Sequence, residues 1–141
     1  IPTKVVTMPK NVYFRRASKG GEGGQPEFSL MLVGWGSGTG EASSPLKSLL
    51  STHDKSKGRG ASNRGRHADE AVDAMVSDAL ATVDDAKRGA LLAQATEKAI
   101  GENQGIIPLH YQVNTWATRQ GLTYAARTDE RTIATDLKPA N

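Results

Sequence analysis

Phe28-Ser29-Leu30-Met31-Leu32-Val33 runs directly into Gly34-Trp35-Gly36-Ser37-Gly38-Thr39-Gly40. The first part is a nearly continuous apolar run of strand length. It lacks the strict alternation of a strand with one wet face, so it suits a strand buried on both faces, as in a parallel sheet. Towards the N-terminus, the polar, Gly-rich stretch 20–26 reads as a loop. Residues 10–19 carry Val12, Tyr13 and Phe14 among Arg15, Arg16 and Lys19, and read as a short helix ending at Gly20-Gly21. Residues 2–8 are rich in β-branched side chains and stop at Pro9, which reads as a further strand. Strand, helix and buried strand make a βαβ unit, so the expected class is α/β.

Towards the C-terminus, Pro45 opens a short helix containing Leu46, Leu49 and Leu50, and 53–67 is a polar, basic loop. Two helices follow. The first, about 69–82, sets Val72, Met75, Val76, Ala79 and Leu80 on one face, with Asp69 as its cap. The second, about 84–103, buries Leu91, Leu92, Ala95, Ala99 and Ile100. Thr82 and Asp85 are spaced like a capping box, and the acidic residues suit the positive start of a helix. Little more than Val83 separates the two, which predicts an antiparallel hairpin. Ile106 to Trp116 reads as a long strand, with Pro108 at an edge or where pairing begins. Leu122-Thr123-Tyr124 is a further candidate strand before a polar tail, and there is no internal repeat. Three or four strands are too few to surround a buried strand, so the pattern predicts part of a larger sheet. The opening Ile1-Pro2-Thr3 has neither an initiator Met nor a basic-then-apolar leader, and the expectation is the interior of a longer protein.

Composition narrows the function classes. The chain has 141 residues, 37% hydrophobic and 23% charged, which suits a folded chain rather than a disordered tail. No run approaches the ~20 apolar residues of a membrane-spanning helix. The absence of cysteine excludes disulfides, thiolate nucleophiles and zinc–thiolate sites. Residues 1–66 hold 11 Lys/Arg against 4 Asp/Glu, a net +7, whereas 67–141 hold 7 against 11, a net −4. A basic half suits an anionic partner, or is a set of solvated loops.

The Gly34–Gly40 segment lacks the Gly-Lys-Ser/Thr ending of a phosphate loop and the spacing of a dinucleotide fingerprint. Trp35 beside it is either a core plug or one wall of a cleft. Lys55 to Arg66 places five basic residues among glycines without an aromatic for base stacking. It is either a solvated loop or, as the alternative function, a nucleic-acid-binding module. His53, His67 and His110 have no ligand-like spacing, and His110 lies in an apolar strand as a packing residue. The serines form no nucleophile elbow, and the helix carboxylates are read as solvated. No catalytic constellation, metal site or cofactor is expected.

Four segments in order resemble the family 5 extracytoplasmic solute-binding proteins, the dipeptide, oligopeptide and nickel receptors of ABC importers. Phe28 to Gly36 is similar to that family's strand followed by Gly-Trp. Arg64-Gly65-Arg66-His67-Ala68-Asp69-Glu70-Ala71-Val72-Asp73-Ala74-Met75 resembles its Tyr-Ser-Asn-Pro-Glu-Val-Asp-Ala-Leu helix start. Asp84-Asp85-Ala86-Lys87-Arg88 resembles its Asp-Pro-Ala-Lys-Arg, and Ile106 to Asn114 resembles its Ile-Pro-Leu-Tyr-Tyr strand. The resemblance covers nearly all of the chain, against the last quarter or so of such a receptor.

The resemblance implies the C-terminal part of a two-lobed, type II-like periplasmic binding protein: a βαβ unit, a helical hairpin and crossing strands. Residues of about 1–105 would belong to one lobe and about 106–141 would cross back toward the other. It implies a periplasmic, non-catalytic receptor that closes on a small solute, peptide-like or other. Its partners would be the ABC permease subunits and the remainder of the same polypeptide, not nucleic acid. Trp35, Gly36, Ser37, Gly38, Gln112 and Asn114 are the implied ligand contacts. In the peptide receptors an Asp three residues after the Trp pairs with the peptide's α-amino group. Gly38 stands there in this chain, and Glu41 is the only carboxylate nearby. A glycan, an opine-like solute or a peptide held differently therefore also fits.

Overall fold

A computed structural model describes residues 2–19, 21–24, 26–127 and 129–140. The helix stop expected at Gly20 lies outside the described residues. The centre of the fold is a helical hairpin, α3 (Glu70–Ala81) and α4 (Asp85–Thr96), with α4 running on through a wider π-helical stretch, Glu97–Glu102. α2 begins at Ser43–Pro45 and likewise widens over Leu46–Leu50 before packing across the hairpin. Apolar residues at helical spacing make one core from Leu46, Leu50, Val72, Val76, Ala79, Leu92, Ala95 and Ala99. Met75, Leu91 and Ile100 are partly buried around it. Leu80 belongs to the expected apolar face but lies exposed.

The helix starts are set by charged caps. Asp69 accepts from the backbone N–H groups of Ala71 and Val72 (2.8 and 3.1 Å), and Asp84 accepts from Lys87 (2.7 Å). The Thr82–Asp85 capping box is therefore corrected. Asp84 sits in extended conformation at the cap position, while the Thr82 hydroxyl donates back to the Asp78 carbonyl (2.7 Å). At the far end Asn103 donates to the Asp69 carboxylate (2.7 Å) and joins the end of α4 to the start of α3.

The basic loop 53–67 is structured. An antiparallel bridge pairs Asp54 with Arg59 around a tight turn, and Gly60, with φ +65°, lies so close to His53 that a Cβ would come within 2.5 Å of its Cα. Gly60 donates to the Lys47 carbonyl (2.8 Å) and Ser62 to that of Ser48 (2.9 Å). Buried Asn63 donates to the carbonyls of Ser51 and His67 and accepts from the His67 N–H. Arg59 pairs with Asp73 of α3 at 3.1 Å, and Asp73 also accepts from the Thr52 N–H at 2.9 Å. Asp73 is thus an exception to the expected solvated helix carboxylates, because the loop folds back over it.

α1 (Lys10–Lys19) forms as expected and is flanked by the two segments expected as strands. Tyr13 stacks on Phe28 and donates from Oη to the Leu32 carbonyl (2.6 Å). Arg16 bonds Glu27 and lies near Met8 Sδ (3.7 Å). The βαβ hydrogen-bond ladder itself is absent among the described residues. Neither 2–8, 28–33 nor 106–116 forms a β-strand there, and the one described sheet is the antiparallel pair β1 (Leu122–Tyr124) and β2 (Leu137–Pro139). The reason is geometric. A buried strand needs backbone pairing along its edges, and although the end of 28–33 approaches 106–116, the two form no backbone ladder among the described residues. The consequence is an unusual set of exposed apolar side chains, Val5, Leu30, Leu32, Ile107, Leu109, Tyr111 and Val113.

Candidate functional site

The residues expected to touch a ligand come from two segments 70 or more positions apart, and the fold brings these segments together. A Cβ built on Gly34 would lie 3.6 Å from Gln112 Oε1, so the end of the 28–33 run abuts the middle of 106–116. Gln112 donates from Nε2 to Asn114 Oδ1 (3.2 Å), which couples the two polar side chains on that segment. Trp35 is 43% exposed and so is not a core plug. A Cβ at Gly36 or Gly38 would meet nothing within 4 Å, so the glycine loop borders open space.

Ser37 is less available than its position suggests. Its hydroxyl donates to the Glu41 carbonyl (2.7 Å), and the turn is closed by the Gly40 N–H on the Ser37 carbonyl (3.3 Å). Gly40 has φ +75°, a conformation that a side chain would strain. Glu41 does not face a ligand amine. One of its oxygens accepts from the buried Ser43 hydroxyl (2.6 Å), and the other pairs with Arg88 of α4 at 3.2 Å. The Glu41 carboxylate is therefore held on both oxygens by groups of the chain itself.

The Glu41–Arg88 pair is a feature that sequence reading missed. It ties the loop after Trp35 to the first turn of α4, where Arg88 also bonds Asp85 (3.0 Å). The only signal was the acidic-then-basic run Asp84 to Arg88, which is common at helix starts. A further set of polar contacts joins residues 116–127 and 129–136. Trp116 donates to Thr132 Oγ1 (2.9 Å), Tyr124 bonds the Arg131 carbonyl (3.1 Å), and Arg127 joins Asp129 and Asp136. The Arg127 guanidinium, by hydrogen bonding, holds the Asp129 carboxyl down to a pKa of about 2. His110 is exposed rather than packed, because the segment around it is unpaired.

No protein-family model matches the chain, and no curated protein or solved structure matches it either. No helix among the described residues is long and apolar enough to cross a membrane.

Proposed function

We propose that the chain is the C-terminal part of a two-lobed, extracytoplasmic solute-binding receptor of an ABC importer. It contributes one wall of a solute cleft and breaks no bond. The observation that carries this reading is the contact between Gly34 and Gln112. Gly34, the residue before Trp35, lies next to Gln112, Trp35 is 43% exposed, and Gly36 and Gly38 border open space. The exposed apolar runs support it too, since they are the surface that further strands of the same polypeptide would cover. Closure of a second lobe over that wall would let a solute stabilise the closed form by touching both sides. The closed surface would then be read by the permease subunits.

The pairing of Glu41 with Arg88 directs the choice of solute. A ligand held by stacking on Trp35 and by the Gln112 and Asn114 amides suits a glycan, an opine-like solute or a peptide gripped away from its amine. The test is a thermal-shift and Trp-fluorescence screen of the complete polypeptide against dipeptides, oligosaccharides and opines. A saturable hit should be weakened about tenfold or more by Trp35→Ala, equivalent to about 1.4 kcal/mol of lost contact. A hit that ignores Trp35→Ala, or a chain that binds only nucleic acid with a steep salt dependence, would overturn the reading.

A further inference from the structure

Between the C-terminal end of α1 and the loop 53–66 lies a cleft of about 290 Å³, lined by Ser18, His53, Lys55, Arg64 and Arg66 together with Asn63 and small residues. No carboxylate of the described residues lines it. Some cations of the chain are paired, Arg16 with Glu27, Arg59 with Asp73, Arg88 with Glu41 and Asp85, Lys98 with Asp69 and Glu102, and Arg127 with Asp129 and Asp136, while others stand singly on the surface. Among the described residues Lys55, Arg64 and Arg66 have no such partner, although they converge on one concavity. The nearest acid in sequence, Asp54, is taken up by Ser56 Oγ and the backbone N–H groups of Ser56 and Lys57. Three like charges gathered without a counter-charge repel each other, and an anion between them would relieve that repulsion.

The donors are also held in place. Arg64 Nε donates to Ser18 Oγ (3.1 Å), and its guanidinium lies 5.1 Å from the Phe14 ring centroid. The plane is thereby fixed while both terminal nitrogens remain open. Ser18 accepts that bond, so its own O–H is left to donate. Arg66 has φ +57°, an uncommon conformation for a side-chain-bearing residue. The His53 ring donates from Nδ1 to the Gly60 carbonyl (3.0 Å), which leaves Nε2 as its free atom.

We infer that this cleft binds a phosphate-type oxyanion, free or as a phosphate monoester, through Arg64, Arg66, Lys55 and the Ser18 hydroxyl. A planar guanidinium can grip two oxygens of a tetrahedral anion, with an ammonium on a third. This site is separate from the Trp35 surface and does not depend on the solute-receptor reading.

The test is calorimetric titration of the full chain with inorganic phosphate and with glycerol phosphate at low ionic strength. Saturable one-to-one binding is expected. Arg66→Gly should weaken it about tenfold or more, and it accommodates the positive φ, so circular dichroism should be unchanged. Lys55→Gln is the second variant and should weaken binding in the same direction. Lys57→Gln, a cation outside the cleft, should change it less than about twofold. Vesicles containing phosphatidic acid, against phosphatidylcholine alone, separate the sources. Sedimentation with the acidic vesicles that Arg66→Gly abolishes and inorganic phosphate competes away assigns a lipid headgroup; phosphate binding without it assigns a free ligand. Absent phosphate binding, equal losses in Lys57→Gln, or tight single-stranded DNA binding that phosphate does not compete would overturn the inference.

Discussion

Removing the carboxylate of Asp73 should unhinge the basic loop from the helical hairpin. The Asp73 side chain is 7% exposed and that of Arg59 19%, with 3.1 Å between Asp73 Oδ2 and the guanidinium nitrogen. Asp73 Oδ1 also satisfies the Thr52 N–H. Breaking a buried pair by deleting one partner costs about 3–5 kcal/mol, because the remaining charge is stranded. Residual solvent at Arg59 places Asp73→Ala near the lower end, at about 3 kcal/mol. Against a typical total of about 5–15 kcal/mol that is a large fraction, and it corresponds to a fall of about 10 °C in Tm for a chain of this size. Asp73→Asn keeps an acceptor for Thr52 and should cost less than Ala. The double variant Arg59→Met/Asp73→Leu replaces the pair with apolar volume and should recover to within about 1 kcal/mol of wild type. Urea denaturation followed by far-UV circular dichroism measures all of these. A cost below about 1 kcal/mol for Asp73→Ala, or a double variant no better than the single, would refute the argument that the loop is clamped through this pair.

Three further outcomes follow from the geometry. Gly60→Ala should destabilise by about 2 kcal/mol or more, since strain at φ +65° adds to a 2.5 Å clash with His53, whereas Gly58→Ala, at φ +60° in open space, should cost only about 1 kcal/mol; equal costs in denaturation would contradict this. Asn63→Ala should cost about 2 kcal/mol and speed hydrogen exchange at the His67 amide, because a buried donor and two carbonyls lose their partner. The Asp129 carboxyl, with its pKa lowered to about 2, contributes stability that is full above the ordinary carboxylate range and is lost progressively as pH falls from there through about 2. Carboxyl-carbon NMR should therefore show Asp129 ionised at pH 3.5 and the 127–136 turn loosening below pH 2.5; a midpoint near 4 would remove the Arg127 pairing.

The helical half was legible because its signals are local. Apolar spacing at 3.6 residues located α3 and α4, and Asp69 was readable as a cap from the residue type before the first apolar position. Asp84 was not distinguished from Thr82, since both are good cap residues two positions apart and only backbone geometry separates them. The sheet expected from 2–8, 28–33 and 106–116 rested on composition, and no pairing of these segments is described. Leu30 and Leu32 have strand chemistry, yet a ladder depends on what lies alongside, which no property of 28–33 encodes. The loop 53–67 looked solvated because its apolar content is low. Its order comes instead from Asn63, Gly60 and the Arg59–Asp73 pair, contacts that span from 4 to 14 residues and leave no periodic trace. For the candidate site, Trp35 and Gln112 could each be singled out, but their proximity could not.

The most direct test of the account is hydrogen exchange with mass spectrometry on the complete polypeptide. If 28–33 and 106–116 are strands of a sheet finished by the rest of the protein, their amides should be strongly protected, as slow as those of α3 and α4. Tyr111, 99% exposed in the described structure, should lie in a protected peptide there. Exchange of both segments at the rate of an unstructured chain would contradict the claim, and with it the solute wall proposed at Gly34, Trp35 and Gln112.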